Sequence, residues 1–168
     1  GYRVAICDQL EKPSKDKKIV KRGVTDVITP GLALDEKLLD HRANNFLASL
    51  FKLPNEIYGI GLLDVSTGEF IVSEGELAYM SKLLQGFMPS EVVMPKSQLK
   101  DFTKHFGDSF YSYGLEEWIY TEDHTREILL EHFQVSGLKG FGIEEMLAAK
   151  ISAGAILHYL HSTKKKEL

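Results

Sequence analysis

Asp64-Val65-Ser66-Thr67-Gly68 is the string in this sequence with the clearest capacity for chemistry. A turn of small residues exposes backbone N–H groups to a phosphate, and an adjacent aspartate can order Mg²⁺ through water. The same residues also close as a plain β-turn, with Asp64 bonding the nearby N–H groups. Other carboxylates stand at Glu69, Glu74, Glu76 and Glu91. Two-metal hydrolysis needs such groups to converge, whereas these fall at turns and element ends, where solvated acids are normal. His158 and His161 sit at i, i+3 without an evident third ligand, so they read as helix-face histidines. Cys7 is the one cysteine, which excludes an internal disulfide; inside an apolar strand it is expected to be buried and inert. Lys12, Lys15, Lys17, Lys18, Lys21 and Arg22 form the one basic cluster. Lys15, Lys17 and Lys18 are weak candidates for DNA-backbone contacts. No aromatic residues are interleaved to stack on bases, and a solvated loop is the plainer expectation.

The Asp64 string resembles the phosphate-binding hairpin of actin-like ATPases and sugar kinases. Those proteins carry a second such hairpin in a second domain, for which 168 residues leave no room. No Gly-x-x-x-x-Gly-Lys-Ser/Thr string is present. Hydrophobic content of 43% and charged content of 26% are those of an ordinary globular chain, and the net charge of −4 carries no global nucleic-acid footprint. No apolar run approaches the roughly 20 residues that span a bilayer, and nothing resembles a signal peptide, so the cytoplasm is the expected location. The chain opens inside the apolar run Val4-Ala-Ile-Cys7 and closes just after an apolar helix, so both ends are expected to be cut ends of a longer protein.

The elements that must position these residues follow from period and punctuation. Residues 2–7 and 20–29 read as extended segments separated by a polar loop, and Pro30-Gly31 as a turn. Leu38 to His41 is a candidate helical linker. Asn45–Leu53 and Glu56–Val65 read as strands, with Gly59 and Gly61 marking close passage of other backbone. Phe70–Ser73 returns from the Asp64 turn. Leu77, Met80, Leu83, Leu84 and Phe87 fall on one helical face that ends before Pro89. Val92–Met94 reads as a buried strand, Ser97 as the cap of a helix ending at Gly107, and Phe110 with Ser112 as a further strand. Thr121 opens a helix whose Ile128, Leu129, His132 and Phe133 face inward. The last helix is expected to carry Glu144 and Glu145 in its first turn and lysines in its last. Ala153–Leu160 is apolar on nearly every side and needs partners on more than one face, much of that surface being expected outside this chain. Three strands, helix, strand, helix, strand, helix is an α/β sandwich order resembling RNase H-like domains.

Several strings together resemble one family, the bacterial MutS proteins of DNA mismatch repair. They are Tyr2-Arg-Val-Ala-Ile-Cys-Asp-Gln-Leu-Glu11, Val20-Lys-Arg-Gly-Val-Thr25, Thr29-Pro-Gly31 and Asn45-Phe-Leu-Ala48. Leu63-Asp-Val-Ser-Thr-Gly-Glu-Phe70, Gly140-Phe-Gly142 and Ala153-Gly-Ala-Ile-Leu157 continue the match in order to the end of the chain. The resemblance implies that residues 1–31, an N-terminal α/β fragment, are the C-terminal part of the mismatch-recognition domain and 32–41 a linker. Residues 42–134 would be an RNase H-like connector domain, a mixed sheet flanked by helices that is not a nuclease. Residues 135–168 would start the helical core with its first helix.

The family acts as a homodimer that clamps mismatched double-stranded DNA, uses ATP with Mg²⁺, and recruits MutL. Its Phe-x-Glu and ATPase motifs are not found in this chain, so the resemblance assigns no catalytic, cofactor-binding or metal-ligating residue here. It implies a non-catalytic segment with a docking surface for MutL. Arg126, Glu127 and Glu131, on the polar face of the helix opened by Thr121, are the candidates. The alternative is a small actin-like or RNase H-like enzyme with a degenerate site.

Overall fold

A computed structural model describes residues 2–11, 19–32 and 45–163. Lys15, Lys17 and Lys18, the 38–41 linker helix and the terminal lysines lie outside the described residues. The first two extended segments pair as an antiparallel ribbon of β1 (Val4–Gln9) and β2 (Arg22–Ile28). A single 3₁₀ turn, Pro30–Leu32, follows it.

Five strands form the central sheet: β3 (Phe46–Lys52), β4 (Tyr58–Asp64), β5 (Glu69–Gly75), β6 (Glu91–Pro95) and β7 (Ser112–Leu115). Their order is β5-β4-β3-β6-β7. The β3–β4 and β4–β5 pairs are antiparallel, and the β3–β6 and β6–β7 pairs are parallel. Central β3 is apolar on both sides, as a strand covered on both faces must be. Phe46, Ala48 and Leu50 meet the layer of α1 (Leu77–Phe87) and α2 (Lys96–Phe106), while Leu47 enters the opposite core.

That opposite core is built on α4 (Leu147–Thr163), with α3 (Glu122–Phe133) packed outside it. Glycines allow the close approach. A Cβ on Gly59 would lie 2.0 Å from the Ala148 carbonyl, and one on Gly154 would lie 2.4 Å from Thr125 Cβ. Ser152 Oγ donates to the Gly59 carbonyl at 2.8 Å, locking helix to strand. The apolar circumference of α4 is therefore covered within the chain: residues 148–157 are all buried, between sheet and α3. This corrects the expectation of a partly orphaned helix. α4 completes the sheet's second face.

Four local expectations are also corrected. Ser97 does not cap α2; Pro95 holds that position, and Ser97 gives its N–H and hydroxyl to Glu117. His132 is exposed, while Thr125 takes the buried position on α3. Glu144 and Glu145 precede α4, which starts at Leu147. Cys7 is exposed, because no layer of the described residues covers the ribbon.

Candidate functional site

The Asp64 turn spends its donors on itself. Ser66 donates its N–H (2.9 Å) and its hydroxyl (2.6 Å) to Asp64 Oδ1, and the Gly68 N–H bonds the Asp64 carbonyl at 2.8 Å. Burial pushes the Asp64 carboxyl up, but the bonds from Ser66 and Thr67 outweigh it and hold it below the usual range. A carboxylate already bonded by its own turn serves the β4–β5 hairpin, and the N–H groups of Ser66 and Gly68 are not free for a phosphate. The acids do not converge either. Among the described residues, no three His, Cys, Asp or Glu side chains could share a metal ion. At the centre of β3 stands Ser49, bonded to the Tyr120 hydroxyl. Among the described residues this arrangement does not favour the enzyme alternative.

His158 pairs with a residue that its own helix does not carry. Its Nδ1 lies 3.0 Å from His124 Nε2 on α3, and the Trp118 ring stands edge-on to both imidazoles. Burial, then the neighbouring His124 and His161, holds His158 below the ordinary imidazole range.

The outer side of α3 carries the three candidate docking residues. Glu127 and Glu131 are exposed, whereas Arg126 is half-buried and paired with Glu144 at 2.9 Å. The second oxygen of Glu144 accepts the Leu138 N–H at 2.9 Å, so one carboxylate ties α3 to the loop before α4. The Leu138 bond first, and then Arg126, holds the Glu144 carboxyl low. Asp123, Arg126, Glu127, Leu130, Glu131 and Val135 line a shallow concavity with an apolar floor and a charged rim.

A buried polar chain joins the ribbon to the sheet, and sequence reasoning missed it. Glu91 is not the solvated end-of-element acid its position suggests; it is fully buried. Its Oε1 accepts the Tyr159 hydroxyl at 2.7 Å and its Oε2 accepts the Gly31 N–H at 3.1 Å. Arg3 Nη1 donates to the same Tyr159 oxygen at 2.9 Å, and its guanidinium lies 3.8 Å over the Tyr113 ring. Burial, then the Glu91 charge, pushes the Tyr159 hydroxyl well above its ordinary value, so it stays a proton donor. A buried carboxylate is tolerated only with such partners. The available signal was Glu91 opening an otherwise apolar strand, but nothing local pointed to Arg3 or Tyr159.

No helix among the described residues is long and apolar enough to cross a membrane. Residues 45–168 match the family model "MutS domain II", and residues 1–37 match "MutS domain I". The "DNA mismatch repair protein MutS" of Flavobacterium psychrophilum is 51% identical over 168 residues, all of this chain and 19% of that protein. The Flavobacterium johnsoniae protein of the same name is 54% identical over 164 residues, 98% of this chain and 19% of its own length. That of Cytophaga hutchinsonii is 51% identical over 168 residues, again all of this chain and 20% of that protein. The chain thus spans about a fifth of the length of the curated relatives it matches. With two consecutive domain matches and about half of its residues identical to these relatives, the chain belongs to the MutS family of DNA mismatch repair proteins.

Proposed function

We propose that this segment is the connector of a mismatch repair protein, joining mismatch recognition to an ATP-using helical core and offering MutL a docking surface on α3. The observation that carries this reading is the outer side of α3, where acidic Glu127 and Glu131 flank Leu130 and Val135. A charged rim around a small apolar floor suits protein recognition. The Arg126–Glu144–Leu138 tie holds that surface on a rigid platform.

We read the domain as RNase H-like, a reading supported by the β5-β4-β3-β6-β7 order with its antiparallel first three strands. In the same reading residues 1–31 close the mismatch-recognition domain, 32–41 are the linker, and 42–134 are the connector. Residues 135–168 start the helical core, and α4 within them packs on the connector sheet. The whole protein would act in the bacterial cytoplasm as a homodimer on mismatched double-stranded DNA, with ATP and Mg²⁺ bound outside this segment. Lys15, Lys17 and Lys18 are proposed to touch the DNA backbone.

The test is a titration of this chain against the N-terminal ATPase domain of MutL, in moderate salt with unrelated DNA as competitor. Saturable binding that ignores the DNA is expected, weakened about ten-fold when Glu127 and Glu131 are both changed to Lys. A folded chain that fails to bind, or whose binding ignores the double change, overturns docking at α3.

A further inference from the structure

The body of the β1–β2 ribbon packs on little: all six residues of β1 are exposed, and β2 alternates between exposed and half-buried. A lone two-stranded ribbon is marginal in water, so its orientation depends on its base. Val4 lies opposite Ile28 in the antiparallel register, which brings the residue entering β1 and those leaving β2 to the same end of the ribbon. From that end Arg3 reaches Tyr159 and Tyr113, and Gly31 reaches Glu91. Glu91 and Tyr159 are themselves joined at 2.7 Å. Gly31 fits so tightly that a Cβ there would lie 3.0 Å from Leu47 Cβ and 3.1 Å from Glu91 Cβ. Leu32 then packs against the core containing Leu47 and Tyr159.

We propose that Arg3, Tyr159, Glu91 and Gly31 form a two-point clasp that sets how the domain I tail is oriented on domain II. A single attachment through Gly31 would leave the ribbon free to swivel about the chain. The second attachment, through Arg3 on the opposite strand, removes that freedom. Tyr159 is the keystone, because its one hydroxyl accepts from Arg3 and donates to Glu91. The buried carboxylate thereby senses the cation through an intervening hydroxyl, and both strands of the ribbon end on one network. This deepens the connector reading and rests on it: a connector that holds the recognition domain at a set angle can transmit that angle.

The chain supplies its own probe site. Cys7 is its one cysteine and is exposed on β1. With Lys82→Cys on the exposed side of α1, two nitroxide labels report the ribbon-to-domain distance by pulsed electron resonance. The expected result is one narrow distance in the parent, with a distribution about two-fold wider in Arg3→Ala and in Tyr159→Phe. A control change at exposed Lys139 leaves the distribution narrow. Thermal unfolding confirms that each variant is folded; Arg3→Ala alters a half-exposed side chain, so it stays informative if Tyr159→Phe does not fold. A parent distribution that is already broad, or one that neither change widens, overturns the clasp. If the variants widen it and a full-length relative carrying the same change binds mismatched DNA as before, the clasp stands and the connector's coupling role falls.

Discussion

The β1 ribbon strand and the central strand β3 share an apolar character and meet opposite fates. In β1, Val4 is 53% and Ile6 37% exposed; in β3, Leu47 and Ala48 are fully buried. Both sequences form strands, so the difference does not lie in local preference. It lies in what covers them: helical layers pack on both faces of β3, and among the described residues the ribbon meets the rest of the chain mainly at its base. Burial is a property of layers, and local hydrophobicity only qualifies a strand for it. The ribbon is held by polar geometry at one end, and the sheet by area and close packing throughout.

The strongest way to break the sheet side of this comparison is to fill its glycine seam. Gly59→Ala and Gly154→Ala each place a methyl group inside backbone or a neighbouring side chain of another element. Urea unfolding should show losses at or above the ~1–3 kcal/mol of ordinary overpacking. Gly86→Ala is the counterpart: its methyl meets open space on α1, so a gain of ~0.4–1 kcal/mol is expected from the unfolded chain's lost freedom. A loss there as large as at Gly59 would show that the seam is not special.

Leucine deletions compare the two regions directly. Leu47→Ala should cost ~2–5 kcal/mol, the range for a large buried side chain. Leu10→Ala, at the exposed end of the ribbon, should stay within ~0.5 kcal/mol of the parent. Similar urea midpoints for the two variants would mean that the ribbon carries a buried face.

The smallest expected effect is in pH dependence at the α3–α4 seam. His158 is held below its ordinary value, so the unfolded chain takes up a proton in a window where the native chain does not. Its contribution is fully present above the unfolded imidazole value of about 6.5 and is lost as pH falls from there through the native value. Urea midpoints measured at about pH 7.5 and about pH 5.5 should therefore drop more in the parent than in His158→Gln. Equal drops would remove His158 from the account.

Much of the fold was legible because its signals are local. Apolar runs mark β3 and β4, Gly59 and Gly61 announce a backbone passing close by, and Gly107 ends α2 at positive φ as its type predicts. Asp64 closed its own turn with residues two positions away. The candidate site was legible only in part. The polar side of α3 could be read from period, but Glu144, which pins Arg126, lies outside any helix and 18 residues downstream. The spacing of His158 points to its i+3 neighbour on the same helix, whereas its partner His124 is 34 residues upstream.

By itself the sequence determined the order and type of the elements and the turns that separate them, because backbone dihedrals answer to near neighbours. Tertiary structure alone decided that Glu91 is buried and Cys7 exposed, that α4 is wrapped on two sides, and that Arg3 meets Tyr159 across 156 residues. Burial and pairing depend on which distant surfaces the fold brings together, and no local periodicity carries that information.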